Sequence, residues 1–341
     1  MLLKELSELN GVSSRETPVR HFIRDRIGGK VDSISTDRLG NLIALKGQTK
    51  KGPKIMLSAH MDEVGLMVVG IDPSGLLKIK TVGGIDERVL ISKRVLVGPK
   101  QIPGVIGAKP IHLQEREERQ NPLKISALFV DVGATDRSDA EKDVKIGDLI
   151  AFDVKAEAFG DGLFKGKALD DRAGCAVLLD LIENQYNLPL AFAFTVQEEV
   201  GLRGATVAAF GLNPDLAFVV ETTSAGDVPP LKNHQASTRL GQGPAISFMD
   251  HAIIVNPALV EQLVAVAEEA GIAYQFRQAT SGGTEAGVIN QARTGVPAAV
   301  ISIPCRYIHS PVSVLNLDDF AQTIKLLDAV LRKIEQRGLP V

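Results

Sequence analysis

The segment KIMLSAHMD, residues 54–62, runs from a short apolar strand straight into a histidine and a carboxylate. Apolar segments that end on polar residues recur at residues 191–199, 216–221 and 297–309. Helical patterns lie between and after these segments, among them residues 258–270 and 317–332. Strands that alternate with helices indicate a sheet covered by helices. We therefore predict an α/β fold with a mixed, mostly parallel sheet flanked by helices.

The middle of the chain has a different pattern. Between Gly65 and about Asp161, short β-rich runs are separated by Gly, Pro and Asp turns, which is typical of a small barrel or sandwich. We therefore predict two domains. A catalytic α/β domain comprises residues 1–64 and 162–341, and an inserted small β-barrel domain comprises residues 65–161.

Composition excludes several classes of function. The 341 residues include 38 Lys and Arg against 41 Asp and Glu, a balance without an electrostatic footprint for nucleic acid. No apolar run approaches the roughly 20 residues that span a bilayer, and the N-terminus lacks the basic region of a signal peptide. Two cysteines are too few for a disulfide framework. We therefore expect a cytoplasmic protein that binds neither nucleic acid nor membrane.

Histidines and carboxylates follow the predicted strands, at the edge where open α/β sheets form their sites. His60 and Asp62 occupy alternate positions, so an extended backbone points them the same way, and the carboxylate can orient the imidazole. Glu198 and Glu199 are adjacent and point in opposite directions, so one can bind a metal while the other acts as a general base. The remaining candidates are Asp170, Asp171, Glu221 and His309.

Each of these segments also has an ordinary structural interpretation. Paired Asp residues before a helix can be an N-cap and a first-turn acid, and a histidine after a strand can be a surface loop residue. Taken together, two histidines and at least three carboxylates after successive strands supply the nitrogen and oxygen donors that suit a pair of divalent ions. The set therefore indicates a two-metal hydrolase.

The order of these motifs resembles the co-catalytic zinc peptidase clan and, more closely, the family-42 metallo-aminopeptidases. The resemblance also includes GVIGAKP at residues 104–110 and SGGTEAG at residues 281–287, and it covers essentially the whole chain. It implies a dinuclear-metal aminopeptidase that holds two divalent ions per subunit, Zn or Co. The metal ligands that it implies are His60, Asp170, Glu199, Glu221 and His309, with Asp170 as the bridge.

The same resemblance implies the mechanism and the assembly. Glu198 would take a proton from a metal-activated water and deliver it to the leaving amine, while Asp62 would support His60. A free α-amine on the peptide substrate would restrict cleavage to the first residue. The family also implies a non-proline cis peptide after Asp170. Its inserted domain mediates dimers, which can form a dodecamer.

Two positions depart from the family's pattern. Glu221 stands where many aminopeptidases of the clan have Asp, and glutamate there also resembles the clan's carboxypeptidases and deacylases. Glu285 stands where the family usually has Asp. A metal-dependent deacylase or carboxypeptidase of the same clan therefore stays open as an alternative.

Two further classes of function fit the residues less well. A glycoside hydrolase needs two carboxylates about 5–10 Å apart on opposite faces of a sugar bond, which the adjacent Glu198 and Glu199 cannot provide. A non-catalytic scaffold would not need every ligand of the set. Arg306 is a candidate for holding an acidic side chain or a carboxylate of the substrate. His112, in the predicted barrel, is a candidate for reaching a neighbouring site.

Overall fold

The protein contains one large sheet and one closed barrel. A computed structural model describes residues 1–229, 231–232 and 235–340, and it does not describe the side chains of residues 117 and 118. The strands within these ranges are β1 (Ser33–Thr36), β2 (Leu42–Lys46), β3 (Ile55–His60), β4 (Gly65–Ile71), β5 (Leu77–Val82), β6 (Arg94–Val97), β7 (Ile102–Ala108), β8 (Leu128–Asp131), β9 (Leu149–Phe152), β10 (Glu157–Phe159), β11 (Leu163–Gly166), β12 (Leu190–Thr195), β13 (Leu216–Ser224), β14 (Ala245–Ile246), β15 (Gln275–Phe276), β16 (Ala298–Arg306) and β17 (Ser313–Asn316).

Two of the longer helices begin at asparagines that cap their first turns. Asn256 and Asn316 accept backbone N–H groups of the first turns of α7 and α9, as expected of N-caps. The α-helices are α1 (Leu2–Glu8), α2 (Thr17–Ile27), α3 (Arg116–Gln120), α4 (Arg137–Ala140), α5 (Leu169–Glu183), α6 (Arg203–Leu212), α7 (Pro257–Glu269), α8 (Glu285–Asn290) and α9 (Leu317–Arg337), and 3-10 turns occupy Glu87–Val89, Ile111–Leu113 and Ile125–Ala127. Within the described ranges, no helix is both long and apolar enough to cross a membrane.

The large sheet has a parallel centre and antiparallel flanks. Its strand order is β1-β2-β12-β3-β13-β16-β17-β11-β10, and β14 and β15 attach beside β16. Strands β12, β3, β13 and β16 are parallel neighbours, whereas β2 and β17 pair with this centre in the antiparallel direction. The sheet is therefore mixed and parallel at its centre, as the sequence predicts.

Helices cover the central strands of this sheet. Every residue of β3 and of β12 is buried, as expected when both faces of parallel strands are covered. Helix α5 packs against β3 and β13, α6 packs against β12, and α8 and α9 pack against β16. The predicted fold class, a mixed sheet flanked by helices with a small barrel, is confirmed.

The barrel closes in the order β4-β5-β8-β7-β6-β9. Its core consists of aliphatic side chains such as Leu66, Val95 and Val130, and closure leaves no sheet edge exposed. Strand β10 pairs with β11 in the large sheet rather than with the barrel. The limits of the two predicted domains stay a prediction.

The parallel strands bring the candidate residues to one edge of the sheet. His60 ends β3 and lies opposite Thr195 at the end of β12. Glu221, in β13, lies opposite Ser302 of β16. Strand β13 is also the neighbour of β3. The candidate residues at or just after the ends of β3, β12 and β13 therefore lie at the same edge of the sheet.

Candidate metal centre

His60 is oriented by the residue two positions after it. Its Nδ1 lies 3.2 Å from the backbone oxygen of Asp62 and 3.5 Å from the Oδ1 of the same residue. Nε2 therefore faces away from Asp62, and it lies 3.6 Å from Oδ1 of Asp170 and 3.9 Å from Oε2 of Glu198. An imidazole held through one nitrogen presents the other as a ligand.

Asp62 also holds the backbone of the two glutamates, which the sequence analysis does not predict. The carboxylate is fully buried. Oδ1 accepts the backbone N–H of Glu198 at 2.9 Å, and Oδ2 accepts that of Glu199 at 3.2 Å and the hydroxyl of Ser13 at 2.6 Å. Asp62 therefore fixes the position of His60 relative to both glutamates.

Asp170 lies between two histidines. The peptide bond between Asp170 and Asp171 is cis, as the family resemblance implies. Oδ1 of Asp170 faces Nε2 of His60 at 3.6 Å, and Oδ2 faces Nε2 of His309 at 3.3 Å. Asp171 is turned away, since it accepts the backbone N–H groups of His60 and Gly174 at 3.2 and 2.8 Å. Asp170 therefore has the arrangement of a bridging ligand, since each of its carboxylate oxygens is directed at a different histidine.

Glu199 completes the other side of the centre. Its Oε2 lies 3.3 Å from Nε2 of His309, and its Oε1 is buried with no hydrogen-bond partner among the described residues. Candidate ligand atoms of His60, Glu198 and Glu199 lie within 4.8 Å of one another, and so do those of Asp170, Glu199 and His309. Both triples consist of the nitrogen and oxygen donors that divalent ions prefer.

Glu221 lies in the same cavity but outside these two triples. Only 6% of the residue is exposed, and it lines a cavity of about 400 Å³ together with His60, Asp170, Glu198 and His309. Its place beside the triples is compatible with the predicted role of a ligand. The assignment of all five ligands, of Glu198 and of Asp62 stays a prediction.

Burial and mutual repulsion oppose ionisation of the three glutamic acids Glu198, Glu199 and Glu221. Burial, together with the charge of Asp170, raises the pKa of Glu198 to about 7 and that of Glu199 to about 8. Burial and the charges of Glu198 and Asp170 raise the pKa of Glu221 well above its ordinary value. These carboxylates need a positive charge among them, and a divalent ion would supply it.

The pKa values of the two histidines are also raised, and for an imidazole this favours the charged form. Hydrogen bonding to Asp170 raises the pKa of His309 to about 9. Although burial disfavours its charged form, the carboxylates of Glu198, Asp170 and Asp62 raise the pKa of His60 well above the ordinary value. A raised pKa of an imidazole among carboxylates indicates that this place favours positive charge, which a metal held by the same side chains would supply. The donor atoms, their charge and the unpartnered Oε1 of Glu199 all fit a metal centre.

Further residues that line the cavity were given no role by the sequence. The cavity is also lined by Thr223, by Arg277 and by the loop at residues 281–284. Arg306, the predicted candidate, instead makes two 2.7 Å hydrogen bonds to the carboxylate of Asp227. Its guanidinium is thus already paired.

Glu285 and His112 are not among the candidate metal ligands. Glu285 is buried, and its carboxylate accepts the hydroxyls of Ser58 and Thr195 behind His60. His112 lies in the 3-10 turn between the exposed side chains of Ile111 and Leu113. Its predicted reach to a neighbouring site stays a prediction.

Comparison with known families and proteins gives a consistent result. The family model described as M42 glutamyl aminopeptidase matches residues 40–326. A protein of Acetivibrio thermocellus is 41% identical over 96% of this chain and 96% of its own. A glutamyl aminopeptidase of Lactococcus lactis is 33% identical over 97% and 95% of the two chains. A lysyl aminopeptidase of Pyrococcus furiosus is 33% identical over 98% and 97%.

Solved structures with similar folds also match nearly the whole chain. An aminopeptidase from the archaeon Desulfurococcus kamchatkensis has a TM-score of 0.92 and 37% identity, and the match covers 97% of this chain and 93% of that one. The TET1 peptidase of Pyrococcus horikoshii, described as assembling into a tetrahedron or a large octahedral shell, has a TM-score of 0.85 and 33% identity over 96% and 97% of the two chains.

Proposed function

Because the chain belongs to the M42 family of aminopeptidases and is a peptide hydrolase, we propose that it is a dinuclear-metal aminopeptidase with Glu198 as its general base. The observation that carries this proposal is the position of Asp170. Its two carboxylate oxygens face two different histidines, and Glu198 lies beside the first of them.

The proposed ligands divide into two groups around Asp170. His309 and Glu199, whose side chains are 3.3 Å apart, would hold one ion, and His60 with Glu221 would hold the other. Asp170 would contribute one oxygen to each. When bound, such ions lower the pKa of a water molecule and polarise the substrate's carbonyl group. Zn and Co both suit this combination of imidazole and carboxylate donors.

Glu198 is placed to move the proton. Its backbone is fixed by Asp62, and its side chain lies in the cavity next to His60. The carboxylate would accept a proton from the attacking water and then donate it to the nitrogen of the leaving peptide, so the C–N bond breaks as that amine becomes neutral. A pKa raised to about 7 by burial suits a group that takes up and releases a proton near neutral pH.

A matched pair of peptides tests this function. One peptide has a free N-terminus and its twin is acetylated. The protein is stripped of metal, reloaded with Zn or Co, and the products are identified by mass spectrometry. We expect the loaded protein to remove the first residue of the free peptide only, and the stripped protein to remove none. Cleavage or deacylation of the acetylated twin would instead favour the deacylase or carboxypeptidase alternative, to which Glu221 also corresponds.

Metal affinity is expected to fall in acid. The raised pKa values of the proposed ligands Glu199 and His309, about 8 and about 9, mean that protons occupy these groups at and below neutral pH. A metal must displace those protons, so affinity for Zn should increase from about pH 7 to about pH 9 with release of protons. Titration calorimetry in two buffers of different ionisation enthalpy measures both quantities. An affinity independent of pH would contradict the proposed ligand set.

We also propose that the chain self-associates through the inserted domain of residues 65–161 into dimers and a dodecamer. Large apolar side chains are exposed on this segment, among them Val105, Ile111, Leu113 and Ile146. Apolar side chains that form one exposed patch mark interfaces, so the proposal requires a neighbouring subunit to cover these four together. The TET1 peptidase similar to this chain is described as forming closed shells, which supports the proposal.

A further inference from the structure

The turn that carries the two glutamates begins directly after β12, and each backbone N–H of residues 196–199 donates to a buried side chain. The first donates to Oδ1 of Asn41 at 3.0 Å, the second to Oε1 of Glu16 at 3.2 Å, and the last two to the carboxylate of Asp62 at 2.9 and 3.2 Å. These three acceptors belong to three other segments of the chain, and each residue is at most 3% exposed. The conformation of this turn therefore depends on side chains from outside it.

The second residue of the turn has a backbone conformation that needs such support. Gln197 is left-handed, with a φ of 55°. Residues other than glycine rarely adopt this conformation, and it persists where the surrounding contacts over-determine it. Glu16 binds the N–H of Gln197, and the backbone N–H of Arg203 donates to its oxygen at 3.2 Å. Because Gln197 directly precedes Glu198, its conformation sets the position of Glu198 relative to β12.

Glu16 is itself fixed within the loop between α1 and α2. Its Oε1 also accepts the backbone N–H of Ser14 at 2.7 Å, and Ser14 has a φ of 77°. In the same loop, the hydroxyl of Ser13 donates to Asp62 at 2.6 Å, and its backbone N–H donates to the oxygen of Glu63 at 3.3 Å. The loop therefore contacts the turn directly through Glu16 and indirectly through Asp62.

The burial of Glu16 is unfavourable for its carboxylate. Burial and the charge of Asp62 raise the pKa of Glu16, so the interior disfavours its ionised form. Its two backbone hydrogen bonds go to Ser14 and Gln197, the two left-handed residues. Local features that oppose stability are typical of places where a precise geometry serves function.

We propose that Glu16 is a positioning residue for the general base: it holds the turn at residues 196–199 so that the carboxylate of Glu198 lies beside the metal centre. The inference rests on the proposed function of that centre. Glu16 is not among the residues that line the cavity, so it acts through the turn alone. A displacement of about 1 Å at a reacting group lowers a rate by up to about 100-fold, which makes such support measurable.

Two substitutions of Glu16 test this inference. Glu16→Ala removes the acceptor of the N–H of Gln197, whereas Glu16→Gln keeps an oxygen at the same place. We expect kcat of zinc-loaded Glu16→Ala to fall by roughly 10- to 100-fold. KM and the amount of bound Zn should stay close to the wild-type values, because Asp62 still binds the backbone of Glu199. Glu16→Gln should keep most of the wild-type kcat.

Asn256→Ala is the matched control, because it also removes a side-chain acceptor from a backbone N–H, but at the start of α7. Asn256 does not line the cavity. This variant should lower Tm and leave kcat unchanged. If Glu16 is merely structural, Glu16→Ala will behave in the same way, and that result would overturn the inference. Loss of Zn from Glu16→Ala, or a Glu16→Gln variant as slow as Glu16→Ala, would also overturn it.

The two proposals fail in different ways. If the wild type removes no residue from any peptide, the proposed function is wrong. Amide hydrogen exchange of the zinc-loaded proteins then still decides whether Glu16 holds the turn, since exchange in residues 196–199 should be faster in Glu16→Ala than in the wild type. If the wild type cleaves peptides and Glu16→Ala cleaves them at the same kcat, the metal centre stands and the role of Glu16 is wrong.

Discussion

Glu198→Gln is expected to lower kcat by about 100- to 10,000-fold, which is the contribution that a general base typically makes. Glutamine preserves the shape of the side chain and the backbone hydrogen bond from Glu198 to Asp62, but it cannot accept the proton of the attacking water. Because the substrate's own binding does not require this proton transfer, KM should change little.

Metal content distinguishes a base from a ligand in this experiment. The side chain of Glu198 lies 3.9 Å from His60 and belongs to one of the two candidate ligand triples, so its role needs a direct test. We expect Glu198→Gln to bind as much Zn as the wild type, measured by atomic absorption after dialysis. The matched variant Glu199→Gln should lose metal, because Glu199 lies beside His309. Loss of Zn from Glu198→Gln would show that Glu198 is a ligand.

The candidate site was predictable where its residues directly follow strands. His60 ends β3, Glu198 and Glu199 follow β12, and Glu221 belongs to β13. Each of these strands is an apolar run in the sequence, and parallel strands bring their carboxyl ends together. The mostly parallel character of the sheet could therefore be inferred from local patterns, and with it the approximate meeting of the polar residues.

Contacts between distant segments were not predictable. Asp62 was expected to support His60, but its bonds to the backbone of Glu198 and Glu199 join residues 136 and 137 positions apart. The surroundings of Arg306 and Arg277 likewise depend on long-range contacts, since Arg306 binds the carboxylate of Asp227 and Arg277 donates to the hydroxyl of Thr223. Nothing in the local sequence of either arginine records which carboxylate lies near it in the fold.

A buried ion pair next to the metal centre has the second large expected effect. Nζ of Lys167 lies 2.7 Å from both carboxylate oxygens of Glu63, and each side chain is only 2% exposed. Burial lowers the pKa of Lys167 to about 8, which shows that the interior disfavours its charge. Such a pair adds little net stability as a unit, but removing one partner leaves the other charge buried.

We therefore expect Lys167→Met to lower the free energy of unfolding by roughly 3 kcal/mol, the lower end of the range for a broken buried pair. Arg172 lies 3.6 Å from Glu63 and would compensate part of the loss. Chemical denaturation gives the free energy of unfolding of the wild type, Lys167→Met, Glu63→Gln and the double variant. These four values form a double-mutant cycle. The double variant leaves neither charge buried and should therefore be more stable than Lys167→Met, with a coupling energy of at least about 1 kcal/mol; additive effects would contradict a direct pair.

The position of this pair explains why its loss should affect more than one element. Glu63 precedes β4, where the chain enters the barrel, and Lys167 follows β11, where the chain has returned to the large sheet. Lys167 also donates to the backbone oxygen of Leu9, and Glu63 accepts the N–H of Gly11. The pair therefore joins the segment after α1 to both connections of the barrel. In Lys167→Met, amide hydrogen exchange should become faster than in the wild type in these connections and change less in β3 and β12. Those two strands are held by backbone hydrogen bonds to their neighbours in the sheet.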